Sequence, residues 1–226
     1  MEYLPPVQQQ RPHPQAPGAN GAEKYHGPIA EGYDAKRESS PKWTCEQRLI
    51  EGMLSDLPAG SVVLDCPVGT GRFLTFYGEK GFHFVGADIS GDMLVQSALK
   101  VMPQHQVEQW VAASNQRNTI LPLRIKDKGS LIIGDVRQSG LEDKSVDAAV
   151  ACRISRWLSP ADNQVMMREL QRVARRRIIL TARVANHREA RSQELFESVL
   201  TPDWKLAESA AGYVLDYRVM RFARAA

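Results

Sequence analysis

The chain has 226 residues, 43% of them apolar and 24% charged, with a net charge of +3; this suits one domain with an ordinary core plus an arm. A charge this small does not by itself point to a nucleic-acid partner. No run reaches the ~18 apolar residues that a bilayer span needs, and the N-terminus lacks a signal-peptide core, so the chain reads as soluble and cytoplasmic with no membrane partner.

Residues 1–41 hold seven of the thirteen prolines, together with Gln8, Gln9 and Gln10. Such a segment cannot bury a core, and residues 1–32 read as a flexible Pro/Gln-rich arm, either a dispensable tail or a tether to a partner or a second copy. A folded domain is expected over 33–226. Its first helix opens on the capping pair Thr44 and Gln47 and carries Leu49, Ile50, Met53, Leu54 and Leu57 on one face, ending at Pro58-Ala59-Gly60.

Val62-Val63-Leu64-Asp65 reads as a short buried strand, followed by Cys66-Pro67-Val68-Gly69-Thr70-Gly71-Arg72-Phe73 and a helix. Strand, Gly-rich turn and helix in that order are the form of a nucleotide-type cofactor loop at the C-terminal edge of a parallel sheet. Gly69 and Gly71 let the backbone turn tightly and come close to a ligand. Twenty-three residues after Asp65, the strand His83-Phe84-Val85-Gly86-Ala87-Asp88 ends in a second acid, at the distance where such folds hold a ribose.

Two cofactor classes fit poorly. A dinucleotide loop wants a small residue where Leu74 stands, which argues against a nicotinamide oxidoreductase, and a phosphate loop of the ATPase type wants Lys-Ser/Thr where Arg72-Phe73 follow Gly71. Asp65 would repel a diphosphate and suits a ligand with an ammonium group.

Beyond Ser90, helices alternate with strands at 131–135, 146–152 and 177–183, which predicts a parallel sheet covered on both faces. Residues 102–130, with Trp110, Pro122 and a basic Arg124–Lys128 run, are too long for a simple connection. They read as an insertion, either a substrate lid or decoration. Ser159, Pro160 and Asp162 start a helix whose buried stripe is Met166, Leu170 and Val173. Trp204–Glu208 and Val214–Phe222 read as a hairpin through Ala211-Gly212. Cys45, Cys66 and Cys152 cannot all pair and have no metal-like spacing, so a reducing compartment and no metal are expected. Among the histidines, His83 sits in a strand and His13 and His26 in the arm, leaving His105 and His187 as candidate bases.

Asp65–Phe73 resembles the first motif of the class I S-adenosylmethionine (SAM)-dependent methyltransferases. The resemblance continues in register. Gly134-Asp135-Val136 is similar to the family's acid beside the adenine amino group, Ser145–Val150 to its fourth strand with a leading acid, and Glu169–Val173 to the helix before its fifth strand. It spans roughly Tyr33 to Arg224, about five sixths of the chain. Two departures stand out: Pro67 replaces the first loop glycine, and Arg175-Arg176-Arg177 replace a Pro-Gly-Gly turn.

The resemblance implies an α/β fold: a doubly wound, Rossmann-like, mostly parallel sheet with a C-terminal antiparallel hairpin, in three α/β/α layers. It implies SAM as cofactor and S-adenosylhomocysteine (SAH) as product. The loop residues Asp65, Pro67, Gly69, Thr70 and Gly71 would face the methionine part, with Arg37 on its carboxylate. Asp88 would hold the ribose, and Ile89, Met93, Asp135 and Val136 the adenine, with Cys152 closing the site. Tyr33, Arg153 and Trp157 would border the acceptor. No obligatory catalytic residue is expected, because the sulfonium drives the transfer and the protein aligns the partners.

The acceptor is read as a small molecule. The Asn/Asp-Pro-Pro-Tyr of DNA amino-methylating relatives is replaced by Cys152-Arg153-Ile154-Ser155, and no Pro-Cys nucleophile is present there. RNA or protein as acceptor stays open, with Arg172–Arg177 as either an anion surface or helix-end cations. So does a non-catalytic assembly module of the same fold, with the arm as a tether or a contact between copies of the chain.

Overall fold

Each central strand has apolar side chains on both faces, which only a sheet covered twice can bury. The computed structural model describes residues 24–117, 119–183, 189–212 and 217–225. Its strands are β1 (Val62–Asp65), β2 (His83–Asp88), β3 (Leu123–Ile125), β4 (Gly129–Ile133), β5 (Val146–Ala151), β6 (Ala174–Arg183), β7 (Trp204–Ala211) and β8 (Tyr217–Arg224). They form one sheet in the order β3-β4-β2-β1-β5-β6-β8-β7. β4, β2, β1, β5 and β6 run parallel, whereas β3, β8 and β7 pair antiparallel. This is the mostly parallel, doubly wound sheet with an antiparallel C-terminal hairpin.

Side-chain alternation divides the core into two halves. Val63 and Phe84 join Ile50, Leu54, Tyr77, Leu94 and Trp110 on one face. Leu64 and Val85 join Met166, Leu170, Phe196 and Trp204 on the other. The helices are α1 (Pro28–Glu31), α2 (Pro41–Leu54), α3 (Leu74–Glu79), α4 (Gly91–Val101), α5 (Gln104–Gln116), α6 (Pro160–Val173) and α7 (Glu189–Glu197). No helix among the described residues is long and apolar enough to cross a membrane.

Several boundaries differ from those the sequence suggests. α2 begins at Pro41 after Ser40, one turn before the Thr44–Gln47 pair, because a proline at the first helical position needs no N–H partner. Residues 24–32, expected in the arm, pack on the domain: the Gly27 N–H donates to Asp92 Oδ2 (2.7 Å) and the Ser90 hydroxyl to the Tyr25 carbonyl (2.5 Å). The readings placed on residues 1–23, including an oligomer arm and His13, lie outside the described residues, as do His187 and positions 214–216 of the expected second hairpin strand.

The 102–130 segment adds α5 and the edge strand β3. Val107, Trp110, Leu123 and Ile125 join the core, and the Trp110 indole N–H donates to the Leu121 carbonyl at 2.9 Å. It widens the sheet. His105 is exposed on α5. Ser159 caps α6 as expected, its oxygen accepting from the Asp162 N–H at 3.0 Å.

The corner without Pro-Gly-Gly has no separate turn. α6 ends at Val173 and β6 begins at Ala174, so Arg175–Arg177 are strand residues and only Arg172 is a helix-end cation. Each is matched by an acid: Arg172 by Glu169 and Asp143, Arg175 and Arg176 by Asp147, Arg177 by Asp56. Asp147, the leading acid of β5, also accepts from the Val62 N–H at 2.9 Å. These acids fasten the end of the sheet remote from the Gly-rich turn that follows β1.

Gly86 lies at the centre of β2, where an added Cβ would stand 2.6 Å from Leu131 Cδ2 and 3.0 Å from Val68 Cγ2. Gly86→Ala should cost about 1–3 kcal/mol through overpacking, lowering the melting temperature by several degrees in a thermal denaturation scan.

Candidate active site

β1, β2, β4 and β5 end on the same side of the sheet, and the turns that follow them enclose a cavity. Residues of these turns and of the N-terminal segment, Tyr25, Tyr33, Arg37 and Trp43, line it together.

The β1 turn forms one wall. Gly69 and Gly71 have φ of +58° and +75°, a left-handed conformation that favours glycine. Gly69 lines the cavity, and a Cβ there would meet nothing within 4 Å. Gly71 does not line it: a Cβ there would stand 2.7 Å from Leu74 Cδ1 and 3.1 Å from Ser97 Oγ. Its role is to seat the turn on the helices beneath. Ser97 supports that seat by donating to the Gly69 carbonyl at 2.7 Å. Of the residues singled out in the sequence for cofactor or acceptor, every other one lines the cavity.

Asp65 and Asp88 close the ends of neighbouring strands. Asp65 is 1% exposed; its Oδ2 accepts from the Tyr77 hydroxyl at 3.2 Å, and its Oδ1 is buried without a partner. Burial pushes its carboxyl up to about 8, partly offset by the Tyr77 hydroxyl. Burial also pushes Asp88 up to about 6, opposed by the N–H groups of Ser90 and Gly69, each 2.9 Å from one of its oxygens. Every carboxylate oxygen has a second lone pair, so Asp88 can hold the turn and still accept from a ligand.

The far wall comes from Ile89, which is 38% exposed, buried Met93, and the β4 turn. Arg137 grips Asp135 through both carboxylate oxygens and reaches Asp162 at 3.0 Å. The expected adenine-side acid is therefore held by an arginine that the sequence reading passed over.

The N-terminal segment covers the near side. Asp34 accepts from the Thr70 hydroxyl at 2.6 Å and pairs with Lys100 at 2.5 Å, which fastens the segment to the turn. Tyr33 packs edge-on against Tyr25 and Trp43, and the Arg37 guanidinium lies 3.6 Å from its ring centroid. Trp157 already has cations against its ring, Lys24 at 4.1 Å and Arg156 at 4.7 Å.

At the end of β5, Cys152 is half-buried, and desolvation and the Glu46 carboxylate push its thiol well above its usual range, which disfavours the thiolate. Arg153 has a φ of +60°, a strained state for a non-glycine residue. Its Nε donates to Glu46 Oε2 at 2.7 Å, and Arg72 donates to the same oxygen at 2.7 Å. Glu46 went unmarked in the sequence. The available signal was its place with Trp43 and Ile50 along the buried face of α2, where an unpaired acid would be costly. Among the described residues no cluster could hold a metal ion.

A sequence profile described as a methyltransferase domain matches residues 64–180, more than half of the chain. No curated protein matches. Among solved structures, the magnesium protoporphyrin IX methyltransferase of Synechocystis with bound SAH is 14% identical, with a TM-score of 0.60 over 90% of this chain and 98% of that one. A TehB-like SAM-dependent methyltransferase of Corynebacterium glutamicum is 16% identical, with a TM-score of 0.58 over 90% and 97%. The Haloferax volcanii complex of the Trm112 methyltransferase activator with a methyltransferase gives 13% identity and a TM-score of 0.63 over 90% and 96%. With its sheet order, its Gly-rich turn after β1 and this match, the chain belongs to the family of class I SAM-dependent methyltransferase domains.

Proposed function

We propose that the cavity binds SAM and a small-molecule acceptor side by side and that the protein transfers the methyl group between them. The observation that carries this reading is the unpartnered, buried Oδ1 of Asp65 beside the Gly-rich turn. A buried carboxyl oxygen without a donor is costly unless a ligand supplies one, and an ammonium group supplies both a donor and a charge.

In this reading Asp65 holds the ammonium group and Arg37 the carboxylate of the methionine part. Asp88 accepts from the ribose hydroxyls, and Ile89, Met93 and Val136 flank the adenine. SAM supplies an activated methyl on its sulfonium. Tyr33, Arg153 and Trp157 border the acceptor, and the aromatic cover formed by Tyr25, Tyr33 and Trp43 excludes water from it. Positioning is then the main contribution of the protein. A small acceptor is favoured over RNA because Arg172 and Arg175–Arg177 are each matched by an acid.

Calorimetric titration with SAH tests the cofactor half: binding is expected, with none for NAD. Asp88→Ala should weaken SAH by about 2–4 kcal/mol, the worth of two charge-assisted hydrogen bonds. Unchanged affinity would reduce Asp88 to a loop brace.

The raised Asp65 carboxyl sets a pH dependence. Ligand-free protein holds a proton there up to about pH 8, and an ammonium ligand must displace it. Affinity for SAH should therefore rise as pH increases from 6 to 8, by up to about tenfold per unit, and level off above. For stability the sign is opposite. The folded state binds this proton more tightly than the unfolded chain, whose Asp titrates near ~3.9, so stability from this group falls as pH climbs from about 4 to about 8. Asp65→Asn should flatten both profiles, melting at a higher temperature at pH 8 while losing SAH. Retained affinity in that variant would overturn the role given to Asp65.

A further inference from the structure

Arg72 and Arg153 converge on one carboxylate, and they do so unequally. The Arg72 side chain is 7% exposed, and all three of its nitrogens are engaged, by Gln47, Glu46 and the Trp43 carbonyl. The Arg153 side chain is 27% exposed, and only its Nε is used, by Glu46. The structure gives its two terminal nitrogens no partner among the described residues. Two guanidinium groups share one carboxylate, which leaves one positive charge in the cluster; both line the cavity, and Arg153 is the more exposed, with its terminal nitrogens free among the described residues.

From this geometry we propose that the methyl acceptor is a planar monoanion, an aryl carboxylate, whose carboxylate sits on the terminal nitrogens of Arg153. The proposal rests on the reading of the cavity as a methyltransferase site. With Nε held by Glu46, the remaining face of the guanidinium is its end-on fork, whose paired N–H groups match the two oxygens of a carboxylate. The residual charge of +1 matches a monoanion rather than a phosphate dianion. The surroundings favour a ring: Trp43 lies 5.1 Å and Tyr217 5.8 Å from the Arg153 guanidinium carbon, and Tyr33 meets Trp43 edge-on at 6.2 Å. Glu46 is a positioning residue here, since it fixes the fork without itself lining the cavity.

Binding is measured by calorimetry and saturation-transfer NMR on the full chain, with and without SAH. The probes are 4-hydroxybenzoate, 4-hydroxycinnamate, the matched primary amides, and phenyl phosphate. One or both carboxylates should bind, with each amide at least tenfold weaker. Arg153→Gln should lose carboxylate binding at least tenfold and keep its SAH affinity, and Arg153→Lys, with the charge but not the fork, should fall between. Equal binding of amides, preference for the phosphate, silence of the whole panel, or a loss of SAH affinity in Arg153→Gln would each overturn the proposal. Should either variant fail to fold, the contrast between carboxylate and amide in the unaltered protein decides it. Absent SAH binding with retained carboxylate binding would remove the cofactor reading alone.

Discussion

Two carboxyl groups buried at the ends of adjacent parallel strands organise this molecule. Asp65 closes β1 and Asp88 closes β2, and burial lifts both above the usual range of their type. A parallel sheet brings such ends together because β1 and β2 pair in register, Val62 opposite His83 and Asp65 opposite Gly86. The fold tolerates Asp88 by giving it two backbone donors from the turn it supports. Asp65 receives only a phenol. That difference divides the two acids into a brace with lone pairs to spare and a group whose second oxygen is left without a donor among the described residues. It is a local conflict between stability and function of the kind expected at an active site.

The same turn is fastened from outside by charge. Thr70 binds Asp34 and Lys100 binds the same acid, so the N-terminal segment, the loop and α4 meet at one carboxylate. Glu46 does comparable work nearby, joining α2 to the loop through Arg72 and to the end of β5 through Arg153. Both acids come from the segment before β1. The strand ends and their turns supply one part of the wall and the N-terminal elements complete it, which is why Tyr25, Tyr33 and Trp43 line a cavity shared with strands far along the chain.

The opposite end of the sheet contrasts with the site. Asp147 ties β5 to the Val62 N–H and to Arg175 and Arg176, and Glu169 accepts from the Ser139 N–H and hydroxyl as well as from Arg172. Here acids meet donors from the protein itself. At the cavity, by contrast, Asp65 Oδ1 has no donor among the described residues.

The parallel sheet, the loop and the two strand-end acids were legible in the sequence because they depend on local signals. Short apolar runs ending in an acid, and glycines where the backbone must turn left-handed, carry their meaning within about ten residues. The Ser159 cap and the Met166, Leu170, Val173 stripe were readable for the same reason. Tertiary structure alone decided the rest. The α6–β6 junction without a turn and the conversion of 102–130 into a helix and an edge strand follow from packing against distant residues. So does the pairing of Glu46 with Arg72 and Arg153, whose partners lie 26 and 107 positions away. The sequence by itself marked the Gly-rich turn after β1 and the acids that end β1 and β2, since those signals are local. Which charges are spent within the protein and which remain for a ligand was settled only when the chain brought α2, the loop and the end of β5 to one place, because charge pairing depends on distance in space and not along the chain.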